Sequence, residues 1–191
     1  MNYVPNISPE EIKMLPAAAF EGQIVIVDDE SQLKEACDYL LSQKVIGFDT
    51  ETKPSFQVGQ TNKVALIQLS TADRCYLFRL CRMRFDKAII KILESRTVLK
   101  VGVAVTGDIQ NLNKIRRFRP GGFVELQNSV EQFGIEDRSL RKMAAIILGC
   151  AVSKAQRLSN WEAKEFTPSQ MRYAATDAWI CLEMYNKLGA Q

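Results

Sequence analysis

Five side chains in this sequence stand where they could do chemistry together. Asp49 and Glu51 end the apolar run Val45-Ile46-Gly47-Phe48. Strand side chains alternate, so both acids project from one face with Thr50 opposite. Two carboxylates about 4 Å apart repel by roughly 4 kcal/mol at an effective dielectric near 20, unless one takes a proton or a cation sits between them. Asp108 follows a second apolar run, Val98–Val103, in the first turn of an expected helix, where an acid can also serve as a partner of the helix dipole. Tyr173 and Asp177 are four residues apart in Tyr-Ala-Ala-Thr-Asp, so they lie one above the other on a helix, on the shoulder of its apolar stripe. A structural Tyr–Asp hydrogen bond is the alternative. The Gly102–Gly107 spacing imitates a phosphate loop, but Asp108 stands where that loop needs a lysine, which reverses the charge and excludes it.

The 191 residues contain no histidine. That removes Ser-His-Asp and Cys-His hydrolases and His-ligated zinc or redox metals. Five cysteines, odd in number and without a Cys-x-x-Cys pair, give no disulfide framework and suit a reducing, cytoplasmic setting. Four carboxylates without histidine form an all-oxygen donor set suited to Mg²⁺ or Mn²⁺. Two such ions, roughly 3.5–4 Å apart, are the standard machinery of in-line phosphoryl displacement.

The elements that must position these groups can be read from periodicity. Residues 1–22 carry three prolines and no clear period, an arm expected to lie over a domain spanning 23–191. Strands are predicted at Gln23–Val27, Lys44–Glu51, Lys63–Ser70, Cys75–Leu80 and Val98–Val103, with a hairpin turn at Thr71–Arg74. Helices are predicted after Asp29, from Asp86 to Leu93, from about Thr106 to Arg117, after Ser139 with Gly149 just past the end, and from Thr167 to about Leu188. Strands early and helices late make a mixed α/β domain with an antiparallel component. At 47% hydrophobic and 25% charged the chain is that of a globular domain, and no apolar stretch reaches the roughly 20 residues of a membrane helix. The net charge of +3 does not by itself identify a nucleic-acid partner.

Taken together, the blocks resemble the DEDD (DnaQ-like) superfamily of 3′→5′ exonucleases, in its tyrosine subclass and its ribonuclease D/Werner-type branch. Phe-Asp-Thr-Glu at Phe48–Glu51, Lys100–Asp108 and Tyr173–Trp179 occur in the family's order, with Phe123–Leu126 and Leu158–Glu162 between them. The resemblance implies a ribonuclease-H-like fold, a central mixed β-sheet flanked by helices. It implies that Asp49, Glu51, Asp108 and Asp177 hold two divalent cations, Mg²⁺ or Mn²⁺, and that Tyr173 aligns the attacking water. One ion would activate that water, the other would stabilise the leaving 3′-oxygen, and a nucleoside 5′-monophosphate would be released. The partner implied is the single-stranded 3′ end of DNA or RNA. No helicase or other accessory domain fits in 191 residues.

Other contacts to substrate are expected at Thr50 and at Phe56, which could stack a base. Lys114, Arg116, Arg117 and Arg119 form an acid-free run, and Arg79, Arg82 and Arg84 another; either could track a phosphate backbone. Trp161 is expected to pack internally. A catalytically silent nucleic-acid-binding module with the same fold is the competing reading, and a protein-interaction domain indifferent to metals is a third.

Overall fold

The computed structural model describes residues 3–55 and 62–189. Phe56 lies outside them. Among the described residues eight strands occur in chain order: β1 (Ala17–Ala18), β2 (Gln23–Val27), β3 (Val45–Thr52), β4 (Val64–Ser70), β5 (Arg74–Arg79), β6 (Leu99–Gly102), β7 (Phe123–Glu125) and β8 (Ala151–Val152). The helices are α1 (Pro9–Lys13), α2 (Glu30–Leu41), α3 (Lys87–Glu94), α4 (Val105–Ile115), α5 (Leu126–Ser129), α6 (Leu140–Leu148) and α7 (Pro168–Gly189). β2 to β7 form one sheet in the order β2-β5-β4-β3-β6-β7. The β3–β4–β5 meander is antiparallel, whereas β2, β6 and β7 join it in parallel.

Alternation along β3 divides the molecule into layers. Ile46 and Phe48 face a core built with Leu33, Ala36 and Leu40 of α2, Ile89 and Ile92 of α3, and Leu112 of α4. The other face receives α7, through Ala174 and Ala175 against Leu66, Cys75 and Leu77. α6 packs beside α7 through Met143, Ala144 and Ile147 against Ile180 and Met184. β4, Val-Ala-Leu-Ile-Gln-Leu-Ser, is buried along its whole length, as a central strand covered on both faces must be. Gly47 sets the distance of α7 from the sheet: a Cβ there would come 1.9 Å from the Ala178 carbonyl oxygen. Only glycine allows helix and strand to approach so closely.

The capping chemistry read from sequence is present where it matters for the site. At the start of α7, Thr167 Oγ1 accepts from Gln170 N–H at 3.2 Å, and Gln170 Oε1 accepts from Thr167 N–H at 3.0 Å. Gly149 ends α6 in the left-handed region, φ 68°. α4 differs from its expected span: it begins one residue earlier and stops at Ile115, because Arg116 turns extended. The arm is more ordered than its prolines suggest. Ser8 and Glu11 form a reciprocal capping box at the start of α1, β1 pairs in parallel with β8, and Phe20 N–H donates to Thr176 Oγ1 at 2.9 Å.

Candidate active site

Asp49, Glu51 and Asp177 each offer a carboxylate oxygen to one small volume, all within 4.8 Å of one another. The first two come from the α7-facing side of β3, and the third from α7 where Gly47 lets it press on that strand. Asp177 is buried rather than on the helix shoulder expected from periodicity. The stripe is wider than the sequence showed because the arm covers the neighbouring Thr176 and Trp161 covers Tyr173.

Asp108 reaches the site from the other layer. It lies on α4, and its Oδ1 accepts a 2.5 Å hydrogen bond from Thr50 Oγ1, the one side chain of Asp49-Thr50-Glu51 that faces away from α7. The fourth acid therefore stands at the rim of the three-acid cluster, fixed to β3 through Thr50. Thr50, expected as a substrate contact, is engaged in holding Asp108.

The electrostatics of the group are those of acids forced together. Burial pushes Asp49 well above the usual carboxylate range, and the charges of Asp177, Asp108 and Glu51 push it further. Burial, then Asp177 and Asp108, raise Glu51 to about 9. Burial raises Asp108 to about 6 against the opposing Thr50 hydrogen bond, and it raises Asp177 against the neighbouring Tyr173 hydroxyl. Among the described residues no ion pair reaches any of the four. Gln68 adds a second unmet demand. It is fully buried on β4, directly across from Asp49 in the sheet register, and neither atom of its amide has a hydrogen-bond partner. A hard, oxygen-preferring cation with its hydration water would relieve both, so the residues fit one or two divalent ions.

Tyr173 borders the cluster one turn before Asp177. Its ring packs 6.0 Å from that of the fully buried Trp161, which in turn lies edge-on to Phe166 at 5.6 Å. Trp161 thus packs internally, as expected, and fixes the ring of Tyr173. Burial, with Asp177 and Glu51 next, raises the Tyr173 hydroxyl above its ordinary range, so it stays protonated and can donate.

Glu125 went unrecognised as a working residue in the sequence. Its two carboxylate oxygens accept from the N–H groups of Ala104 at 3.0 Å and Val105 at 2.8 Å, capping α4 from the end of β7. Ala104 needs that help, because it holds the left-handed conformation at φ 59°, ψ 30°. The signal available in sequence was an acid ending the short extended run Phe123–Glu125, which alone does not say which helix it caps.

The basic residues divide. Arg79 is buried at 2% exposure: its guanidinium lies over Phe166 and donates to the carbonyls of Ala163 and Lys164, so it is a structural clamp and is withdrawn from the phosphate-tracking run. Arg82 joins it on Lys164. Arg116 and Arg117 are exposed, beyond the far end of α4, about 12 Å along the axis from Asp108 at 1.5 Å per residue. Arg116 donates to the Phe85 carbonyl at 2.8 Å. The fold does not bring either of them to the acids.

Comparison with known proteins identifies the family and the fold. The model of a 3′-5′ exonuclease family matches residues 24–191. The chain is 35% identical over 185 residues to the mouse bifunctional 3′-5′ exonuclease/ATP-dependent helicase WRN, covering 92% of this chain and 13% of that protein. It is 36% identical to exonuclease 3′-5′ domain-containing protein 2 of Drosophila melanogaster, over 83% of this chain and 27% of that protein. The chain thus spans a minor part of these relatives. The EXO domain of Nibbler from Aedes aegypti superposes with a TM-score of 0.81 at 26% identity, covering 91% of this chain and 92% of that one. RNase D of Trypanosoma brucei, in a complex with RNA U12, has the same fold, with a TM-score of 0.79 at 21% identity over 90% of this chain and 64% of that one. The mixed sheet with its flanking helices is the ribonuclease-H-like fold of these exonuclease domains, and the chain belongs to the 3′-5′ exonuclease family.

Proposed function

We propose that this chain is an active, divalent-metal-dependent 3′→5′ exonuclease that hydrolyses the terminal phosphodiester of a nucleic acid strand and releases a nucleoside 5′-monophosphate. The observation that carries the reading is the cluster of Asp49, Glu51 and Asp177 with Tyr173 beside it. Asp108 joins them across Thr50.

Asp49, Glu51 and Asp177 would hold the cations, with Asp108 completing the set from α4. Bound there, Mg²⁺ or Mn²⁺ supplies charge to offset the scissile phosphate and lowers the pKa of water at neutral pH. The protein's own part is positional. A protonated Tyr173 is no general base, and its hydroxyl orients the attacking water toward phosphorus. The water oxygen forms the new P–O bond and gives up its proton to solvent, the bond to the 3′-oxygen of the preceding nucleotide breaks, and that oxygen takes a proton from solvent and leaves as a 3′-hydroxyl. Mutual repulsion among the acids makes the cleft a poor place for phosphate without cations and a good one with them.

Chromatography of the digestion products of a single strand tests the reaction. Nucleoside 5′-monophosphates accumulating from the first turnover are expected. Nucleoside 3′-monophosphates, or internal fragments without mononucleotide, would contradict it. The competing silent module has no observation in its favour, because all five side chains of the motif are present.

A further inference from the structure

A cavity of about 260 Å³ opens beside the acids, sharing Tyr173 and Asp177 with them. Ala18 of the arm and Ala155 of the segment after β8 give it apolar walls, and Gln156 and Arg172 give it polar ones. It is smaller than the roughly 300–1,000 Å³ of a drug-sized site, room for one nucleotide and not for a folded strand. Arg172 immediately precedes Tyr173 on α7 and is exposed, and its guanidinium has no ion pair or hydrogen bond among the described residues. The segment 153–160 gives Ser153, Ala155 and Gln156 to the wall and carries Lys154 and Arg157 exposed outside the lining, and no acid occurs between Cys150 and Trp161. Asp177 is the one acid lining the cavity. A cavity with apolar walls and one unpaired cation, Arg172, matches an aromatic base attached to a phosphate.

Strand chemistry selects which nucleotide. The nucleotide being removed carries a single phosphate, the scissile one, and in the exonuclease reading that phosphate belongs to the acids and their cations. A separate cation can therefore meet only a phosphate on the 5′ side. Resting on that reading, we propose that the cavity holds the nucleotide 5′ to the scissile bond and that Arg172 pairs with that nucleotide's own 5′-phosphate. Arg172 then measures substrate length: it favours ends with at least two phosphates.

Two dinucleotides with a non-hydrolysable methylenephosphonate link, one with and one without a 5′-phosphate, separate the possibilities. With Mg²⁺ present, each is titrated as a competitor against a fluorescent single strand. The wild type should prefer the 5′-phosphorylated compound by roughly tenfold or more, the scale of a charge-assisted hydrogen bond. Arg172→Gln should abolish the preference, and Arg172→Lys should keep part of it. Equal competition by the two compounds in the wild type would overturn the proposal, as would an equal loss for both in Arg172→Gln, which would place Arg172 on the scissile phosphate. Cleavage of an ordinary long single strand is a separate readout. Absent cleavage with the preference intact would reject the exonuclease reading and leave Arg172 as the anchor of a 5′-phosphorylated dinucleotide.

Discussion

At the scale of single residues, the bond from Thr50 to Asp108 ties the two layers together at the acids. Thr50→Val keeps the shape of the side chain and removes the donor, leaving Asp108 to rotate and its pKa to rise further. Outer partners of metal ligands are typically worth 10- to 100-fold in metal affinity or activity. A loss of that size in the Mg²⁺ titration of cleavage is expected for Thr50→Val, with Thr50→Ser close to wild type. Identical titrations for Val and Ser would remove Thr50 from the site. Glu51 provides a second test. Its pKa in the folded chain is pushed up to about 9 from the ordinary 4.5 of a free glutamate, so the folded state retains a proton that the unfolded state loses. Stability of the metal-free protein is therefore unpenalised below about pH 4.5 and falls as pH rises toward 9. Thermal melts in EDTA should show Glu51→Gln gaining on wild type steadily from pH 5 to 9. A constant difference across that interval would show that Glu51 is not held protonated by its surroundings.

Among elements, the start of α4 is the most heavily constrained. Ala104 occupies a conformation that costs a non-glycine residue roughly 1–2 kcal/mol, and Glu125 holds it there with both oxygens. Ala104→Gly should stabilise the fold by about 1 kcal/mol after the extra backbone entropy of glycine is counted. Glu125→Ala should cost about 1–2 kcal/mol, the scale of a lost cap. Both are measured by urea denaturation, and a destabilised Ala104→Gly would show that the positive φ carries no cost here. The same helix shows where sequence reading stops. Alternation put Asp49 and Glu51 on one face and Thr50 on the other, and the structure agrees. Periodicity could not tell that Asp108 would return to Thr50 from the opposite layer, because that contact joins residues 58 apart across the end of the sheet. Arg79 misled for a related reason: a charge beside Arg82 and Arg84 reads as surface, while its strand is covered by Phe166 and two carbonyls that lie more than 80 residues away. Local signals such as the Thr167–Gln170 capping box were legible because their partners lie within one turn.

For the molecule as a whole, the sheet, the two helical layers and the arm converge on one end of β3, and the acids there repel with no ion-pair partner among the described residues. A structure that spends stability on such a cluster is expected to recover it on binding cations, and the family to which the chain belongs gives that expectation its chemistry. The most direct measurement is gel-resolved digestion of a 5′-labelled single strand, DNA and RNA in parallel, with Mg²⁺, Mn²⁺ or EDTA, for the wild type and for Asp49→Ala and Asp177→Asn. A ladder shortening from the 3′ end with either metal, absent in EDTA and lost in both variants despite wild-type circular dichroism, is the predicted result. A ladder that persists in EDTA or in Asp49→Ala, or no ladder from the wild type on either nucleic acid with either metal, would contradict it.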